Sequence, residues 1–395
     1  KGVWGLDQVY NKENQGSIWE YSGENKLFTW GSNEEGELGQ NNTTDRSSPT
    51  QVGSDTNWGI ISRGAAQSTW HMLASKSDGT LWAWGEDYYG SLGQNSRTSY
   101  SSPTQIGSDT TWPTSGVGKL TCRKFMSAIK TDGTLWMWGY NNAGMLGQND
   151  VAHYSSPAQI PGTTWKDIGA AGNNSVVAIK TDGTLWSWGQ NSYGVLGQNN
   201  ANPVELSSPT QVGSNTTWSA VSKGGNTFGL ATKTDGTLWS WGNNNDNNSK
   251  GVLGQNNTID YSSPVQVGGT DWATGADKIA ASDRAAIAIK ANGTIYSWGG
   301  GYNGQLGQSN ETQRSSPTQI GSASTWDTIA AGETHFIATK TDGTVWAWGA
   351  GGNGRLGRTS PADNPSMAPI ELPGTDWGTA QVAGGKRSGM AIKAK

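Results

Sequence analysis

The residues that could carry catalysis are few, and their spacing limits what they can do. The chain has three histidines, His71, His153 and His335, and one cysteine, Cys122, in 395 residues. No two of these lie at the paired spacings of a metal site, and no Ser/His/Asp arrangement is signalled. Gly349–Gly354 and Gly299–Gly304 both spell GxGxxG. Neither opens a helix after a strand, as the cradle of a dinucleotide pyrophosphate must. The run "NNNDNNSKG" at 243–251 resembles a calcium loop but holds one carboxylate, Asp246, and no closing glutamate. Cys122 reads as a small buried hydrophobe. The sequence therefore leads us to expect no catalytic residue, no metal and no cofactor.

Charge and hydropathy narrow the partners. The formal net charge is −4 and the pI near 5.5, so the chain lacks the basic field that holds phosphate backbones or anionic lipid. Apolar runs stop far short of the roughly 20 residues that cross a bilayer. Neither nucleic acid nor membrane insertion is expected.

The strongest signal is repetition. Trp-Gly recurs at Trp30, Trp84, Trp138, Trp188, Trp241, Trp298 and Trp348, and a period of this size marks a stacked or radial repeat architecture. Within one copy, "WKDIGAAG", "SVVAIK" and "LWSWG" read as three strands, with Asp-Gly in "TDGT" supplying the tight hairpin turn. An Asn/Gly loop and "SSPTQV" follow, with Pro209 expected to open a strand at a sheet edge. Four antiparallel strands repeated about an axis are the blades of a β-propeller. The fold expected is therefore all-β, a seven-bladed propeller with Gly, Ala and Ser at its centre.

In "LWSWG" Trp186 and Trp188 point to one face of the blade, because strand side chains alternate. A second series, Trp4, Trp58, Trp112, Trp165, Trp218, Trp272, Trp326 and Trp377, precedes each innermost strand. Packing between blades accounts for both series and leaves only Trp19 and Trp70 unexplained. The second half of the repeat occurs seven times, but the half that precedes it occurs eight times, at residues 4–21 and again at 377–393. Val382-Ala383-Gly384-Gly385 suits the crowded axis better than Val9-Tyr10-Asn11-Lys12. Strands near 379–383 and 388–393 should thus join those near 26–30 and 49–52 in one composite blade that ties the chain ends together. Residues 1–21 would form a lead-in or strap, and 22–395 the propeller.

The repeats disagree most in the loop between the first and second strands, which holds Trp70-His71, Arg123-Lys124-Phe125, Phe228, Arg284, His335 and Lys386-Arg387. The loop between the third and fourth strands, which should emerge on the same face, carries Tyr88, Tyr89, Tyr140, Tyr193 and Tyr302. One face is thus diverse, aromatic and Arg-bearing, the composition favoured where partners dock. The "DGT" face is monotonous.

The run "IAAGETHFIATKTDGTVWAWGAGGNGRLG", residues 329–357, resembles the repeat of the regulator of chromosome condensation family, and the likeness extends over essentially the whole chain. The resemblance implies a seven-bladed propeller. It does not fix a function, because the family includes a nuclear exchange factor that docks on chromatin and a plant UV-B photoreceptor. The exchange factor's recurring histidines match His71, Phe125, Ser175, Phe228, Ala285, His335 and Ser388, only two of them histidine. No long inserted wedge and no Gly-Trp-Arg-His-Thr motif is present. The near-identical "LGQN" and "SSPTQ" copies are similar to members from bacteria and tailed phages.

The function expected is a non-enzymatic binding or structural module, secreted or on a virion as a tail, fibre or decoration protein. It would hold a protein or glycan partner on the variable face and could be present in several copies within an assembly. The alternative from another class is an exchange-factor-like regulator of a small GTPase. A hydrolase or lyase with its site at the central channel is disfavoured by the lack of a convergent acid/base cluster.

Overall fold

The computed structural model describes residues 24–63, 70–116, 118–200, 204–246, 250–358, 364–374, 377 and 381–393. Within them the chain forms seven four-stranded antiparallel sheets. Blade 1 runs outward through Trp58–Ile61, His71–Lys76, Leu81–Gly85 and Tyr100–Gln105. Blades 2 to 6 repeat this order and begin with Leu120–Cys122, Trp165–Gly172, Trp218–Val221, Ile279–Ala281 and Trp326–Ala331. Among the described residues the only helical pieces are two 3-10 turns, and no helix is long and apolar enough to cross a membrane.

Blade 7 is composite, as the repeat count requires. From the outside inwards it contains Arg46–Gln51, Lys26–Gly31, Ser388–Lys393 and Gln381–Gly384. Lys26 faces Lys393 and Gly31 faces Ser388 across an unbroken antiparallel ladder. The expected fate of residues 1–21 lies outside the described residues.

The core is built between blades rather than within them. Phe125, Leu135 and Met145 of blade 2, for example, pack with Trp165, Val176 and Trp188 of blade 3. Trp165 meets Trp186 and Trp188 edge-on at 6.2 and 5.8 Å, so both indoles do share one face. The buried Trp188 indole N–H donates to the Met145 carbonyl of the preceding blade at 2.8 Å. Each Trp-Gly tryptophan makes the same bond one blade back, from Trp84 to Glu37 round to Trp348 to Gln305. Each such indole removes roughly 150–250 Å² from water and leaves no buried donor unpaired.

Beside the "DGT" turn, the lysine at the end of the second strand caps these tryptophans. Lys180 Nζ lies 3.7 Å from the Trp186 ring centre and 4.9 Å from that of Trp165, and Lys76, Lys130, Lys233 and Lys340 repeat the arrangement. The turn aspartates behave as expected. Asp78 Oδ1 accepts from the Thr80 amide and hydroxyl, and the same pair recurs at Asp132, Asp182, Asp235 and Asp342.

Two expectations need correction. Pro209 lies inside its strand, Glu205–Gln211, rather than at the start; the ladder to the third strand shifts register beside it, which an edge strand tolerates. The centre is also less uniformly small. Blades 1 and 2 present "WGII" and "LTC" there, and the axis is lined by Arg63 and by a buried ion pair of Lys223 with Asp167. The charged side chains there have charge partners, Asp277 and Asp327 for Arg63 and Asp167 for Lys223.

Candidate partner-binding face

A recurring backbone bond sets the geometry of the variable face. In blade 1 the amide of Glu86, the first residue after the third strand, donates to the carbonyl of Trp70, the last residue before the second strand, at 2.8 Å. The equivalent bond joins Tyr140 to Lys124, Gln190 to Asn174, Asn243 to Thr227, Gly300 to Arg284, Ala350 to Thr334, and Ser32 to Arg387. Each blade thus holds two variable side-chain positions next to each other on an invariant peptide scaffold. The two loop types emerge on one face, as the strand order demands.

Around blades 7, 1 and 2 these positions enclose a cleft of about 300 Å³ lined by Trp70, Glu86, Tyr88, Tyr89, Lys124, Tyr140 and Lys386 among others. Tyr88 is 69% exposed and Tyr89 40%, so large aromatic surface stands open to solvent. Tyr89 packs on Tyr140 at 4.7 Å and on His153 at 5.1 Å, while His153 stacks on Tyr140. The Asn141 amide donates to His153 Nδ1, fixing the ring and leaving Nε2 to carry the proton in the neutral form. Burial, with Arg97 nearby, lowers the His153 pKa. Lys124 Nζ lies 5.4 Å from the Tyr140 ring, and Lys386 Nζ lies 4.3 Å from that of Trp70, with the Arg387 guanidinium 5.6 Å away. Burial, and then Glu35, push the Glu86 carboxyl up to about 7, against the opposing pull of Lys386.

The remaining site residues divide into two groups. Tyr193 edges a separate hollow of about 280 Å³ with Asn174, Gln190 and Asn226, while Arg284 and Tyr302 lie in blade 5, where Gln313 bonds the Tyr302 hydroxyl at 2.6 Å. Five others are corrections, because they are buried. His71, Phe125, Phe228 and His335 are the first residues of second strands, each opposite the glycine of a Trp-Gly pair, and all are under 5% exposed. Those side chains point between blades. Arg123 is 1% exposed and donates to the Asn173 side chain and the Gly225 carbonyl at the channel mouth, where burial pulls its guanidinium down to about 10. Of the five, His71 alone is among the residues lining the cleft, and there it is only 4% exposed.

Glu86 was missed in the sequence, and so was the place of His153 in the aromatic cluster. The signal for Glu86 was present: the residue following each Trp-Gly is Ser32, Glu86, Tyr140, Gln190, Asn243, Gly300 or Ala350, and one alone is charged. No group of three or more His, Cys, Asp or Glu among the described residues could hold a metal ion. The GxGxxG strings fall in loops between third and fourth strands, the second of them ending in a 3-10 turn, Gly352–Gly354. Cys122 is buried, and its thiol donates to the His71 carbonyl.

A radial array of seven tryptophan-stitched, four-stranded antiparallel blades defines a β-propeller of the repeat type. The regulator of chromosome condensation (RCC1) repeat matches residues 24–68, 78–115, 132–179, 182–229, 292–339 and 342–392, and the chain belongs to that family. It is 26% identical over 304 residues to the ultraviolet-B receptor UVR8 of Arabidopsis thaliana, covering 76% of this chain and 55% of the receptor. It is 30% identical to human protein RCC2 over 138 residues, 34% of this chain and 25% of that protein. The chain thus spans little more than half of one relative and a quarter of the other. Prp20p of Saccharomyces cerevisiae, whose structure was described with its binding to Gsp1p and histones, has the same fold, with a TM-score of 0.78 and 19% identity over 94% of this chain and 92% of that one. Human WBSCR16 superposes with a TM-score of 0.74 and 18% identity over 93% and 98%.

Proposed function

We propose that this chain is a non-catalytic binding module that docks a protein partner on its variable loop face, centred on the cleft between blades 7, 1 and 2. The observation that carries the reading is the clustering of Trp70, Tyr88, Tyr89 and Tyr140 with Lys124 and Lys386 where the repeats differ most, whereas the "DGT" face is alike from blade to blade. Exposed aromatics beside half-buried cations are the composition of interface anchors. A secreted or virion-borne setting and several copies in one assembly belong to the same proposal, with a glycan as the alternative occupant of this face. The exchange-factor alternative gains nothing from the histidine positions, since His71 and His335 are both buried. Cross-linking mass spectrometry of the full chain in its native complex tests the reading. Cross-links from Lys124 and Lys386 support it, and cross-links confined to lysines of the "DGT" face, such as Lys180 and Lys340, refute it.

A further inference from the structure

The cleft has an uneven charge lining whose centre is Glu86. No hydrogen bond or salt bridge among the described residues ties down its carboxylate, although the group is half-buried. Every other Trp-Gly position carries a neutral residue. The Glu86 amide is fixed to the Trp70 carbonyl, so the acid and the indole belong to one rigid corner. Tyr88 and Tyr89 form the crest beside it. The Trp70 ring already draws cations, with Lys386 and Arg387 both against it. Lys386 lies on a flexible stem and can swing aside. An acidic ligand would have to face both Glu86 and Glu35.

We propose that this corner receives an arginine side chain of the docked protein, its guanidinium set against the Glu86 carboxylate and flat on the aromatic wall of Trp70 and Tyr89. The inference rests on the docking face proposed above and names the group recognised there. Arginine fits better than lysine because a planar, weakly hydrated guanidinium forks onto a carboxylate while stacking on a ring. A cleft of about 300 Å³ accommodates one such side chain but no folded segment. The incoming cation displaces Lys386 from Trp70, shares that ring with Arg387, and leaves Lys124 on Tyr140 across the cleft.

The test titrates the full chain, with its tryptophans labelled with ¹⁵N, against three capped tripeptides: acetyl-Gly-Arg-Gly-amide, its citrulline analogue of the same shape without charge, and acetyl-Gly-Glu-Gly-amide. The Trp70 indole signal is assigned with Trp70→Phe. The arginine peptide should shift that signal saturably at pH 8, about tenfold more weakly after Glu86→Gln, as expected for loss of a charged hydrogen bond, and more strongly after Lys386→Met. Equal binding of the citrulline peptide, a shift by the glutamate peptide instead, or no shift with any peptide would overturn the proposal. If the native partner binds Glu86→Gln normally but loses affinity for Tyr89→Ala/Tyr140→Ala, the docking face stands and the arginine assignment falls.

Discussion

The Trp30 indole donates to the Arg355 carbonyl at 3.0 Å across 325 residues of sequence. It is the same bond that stitches every other pair of adjacent blades, here made between blades 6 and 7. Together with the ladder of Lys26–Gly31 on Ser388–Lys393, it makes the closing junction equivalent to the rest of the ring. Lys26–Gly31 and Ser388–Lys393 are each paired on both sides within the blade.

Closure should therefore be as sensitive as any internal blade. Trp30→Phe, which keeps most of the packing, should cost about 1 kcal/mol for the lost hydrogen bond, and Trp30→Ala about 3–5 kcal/mol. Removing 377–395 should give aggregate on size exclusion, because it strips both inner strands from blade 7. A truncated chain that remained monomeric and cooperative would show that closure is dispensable.

Gly85 sits at φ +101, opposite His71 in the ladder, and a Cβ there would run into the Trp70 carbonyl and His71 Cα. Gly85→Ala should destabilise by roughly 2–4 kcal/mol in urea unfolding. Gly53, with open space around its Cβ, should lose much less on the same change.

Acid should weaken the fold through its buried histidines. Burial, reinforced by Arg355, holds His335 down to about 3, and burial holds His71 down to about 4, both below the ordinary 6.5. Below pH 6.5 the unfolded chain takes up protons that the folded chain refuses, so stability falls as pH drops from 6.5 toward those values. Glu37 and Glu86, held up to about 7 by burial, act in the opposite sense between 4.5 and 7. The comparison must therefore be made against His335→Ser, the residue that Ser388 supplies at the equivalent site. The stability advantage of wild type over this variant should shrink by several kcal/mol between pH 7 and pH 4. A constant difference would refute the assignment.

Exposure separates Arg123 from the tyrosines it was grouped with. Arg123→Glu would bury an acid at the channel mouth and should lower the melting temperature by several degrees. Tyr89→Ala should leave melting within about a degree while weakening partner binding, since a surface substitution typically costs under 0.5 kcal/mol.

The repeat spacing, the "DGT" turns and the surplus half repeat made the seven blades and their closure legible, because each rests on local backbone chemistry. Exposure on the variable face was not legible to one residue. The loop reading ran one position too far, and in a strand one step exchanges solvent for core. That step places His71, Phe125, Phe228 and His335 inside. Lys124 and Tyr140 are half-buried on the loop face, and the approach of Tyr140 to Tyr89 and His153 depends on how neighbouring blades pack. The axial pair Lys223 and Asp167 lies 56 residues apart, and no spacing rule brings these two together.

Hydrogen–deuterium exchange of the full chain with and without its partner tests the central claim most directly. Bound partner should slow exchange in residues 86–91, 124–125, 140–153 and 386–388, with the turns at 77–80, 131–134 and 181–184 unchanged. Protection confined to those turns, with the cleft segments unchanged, would contradict it.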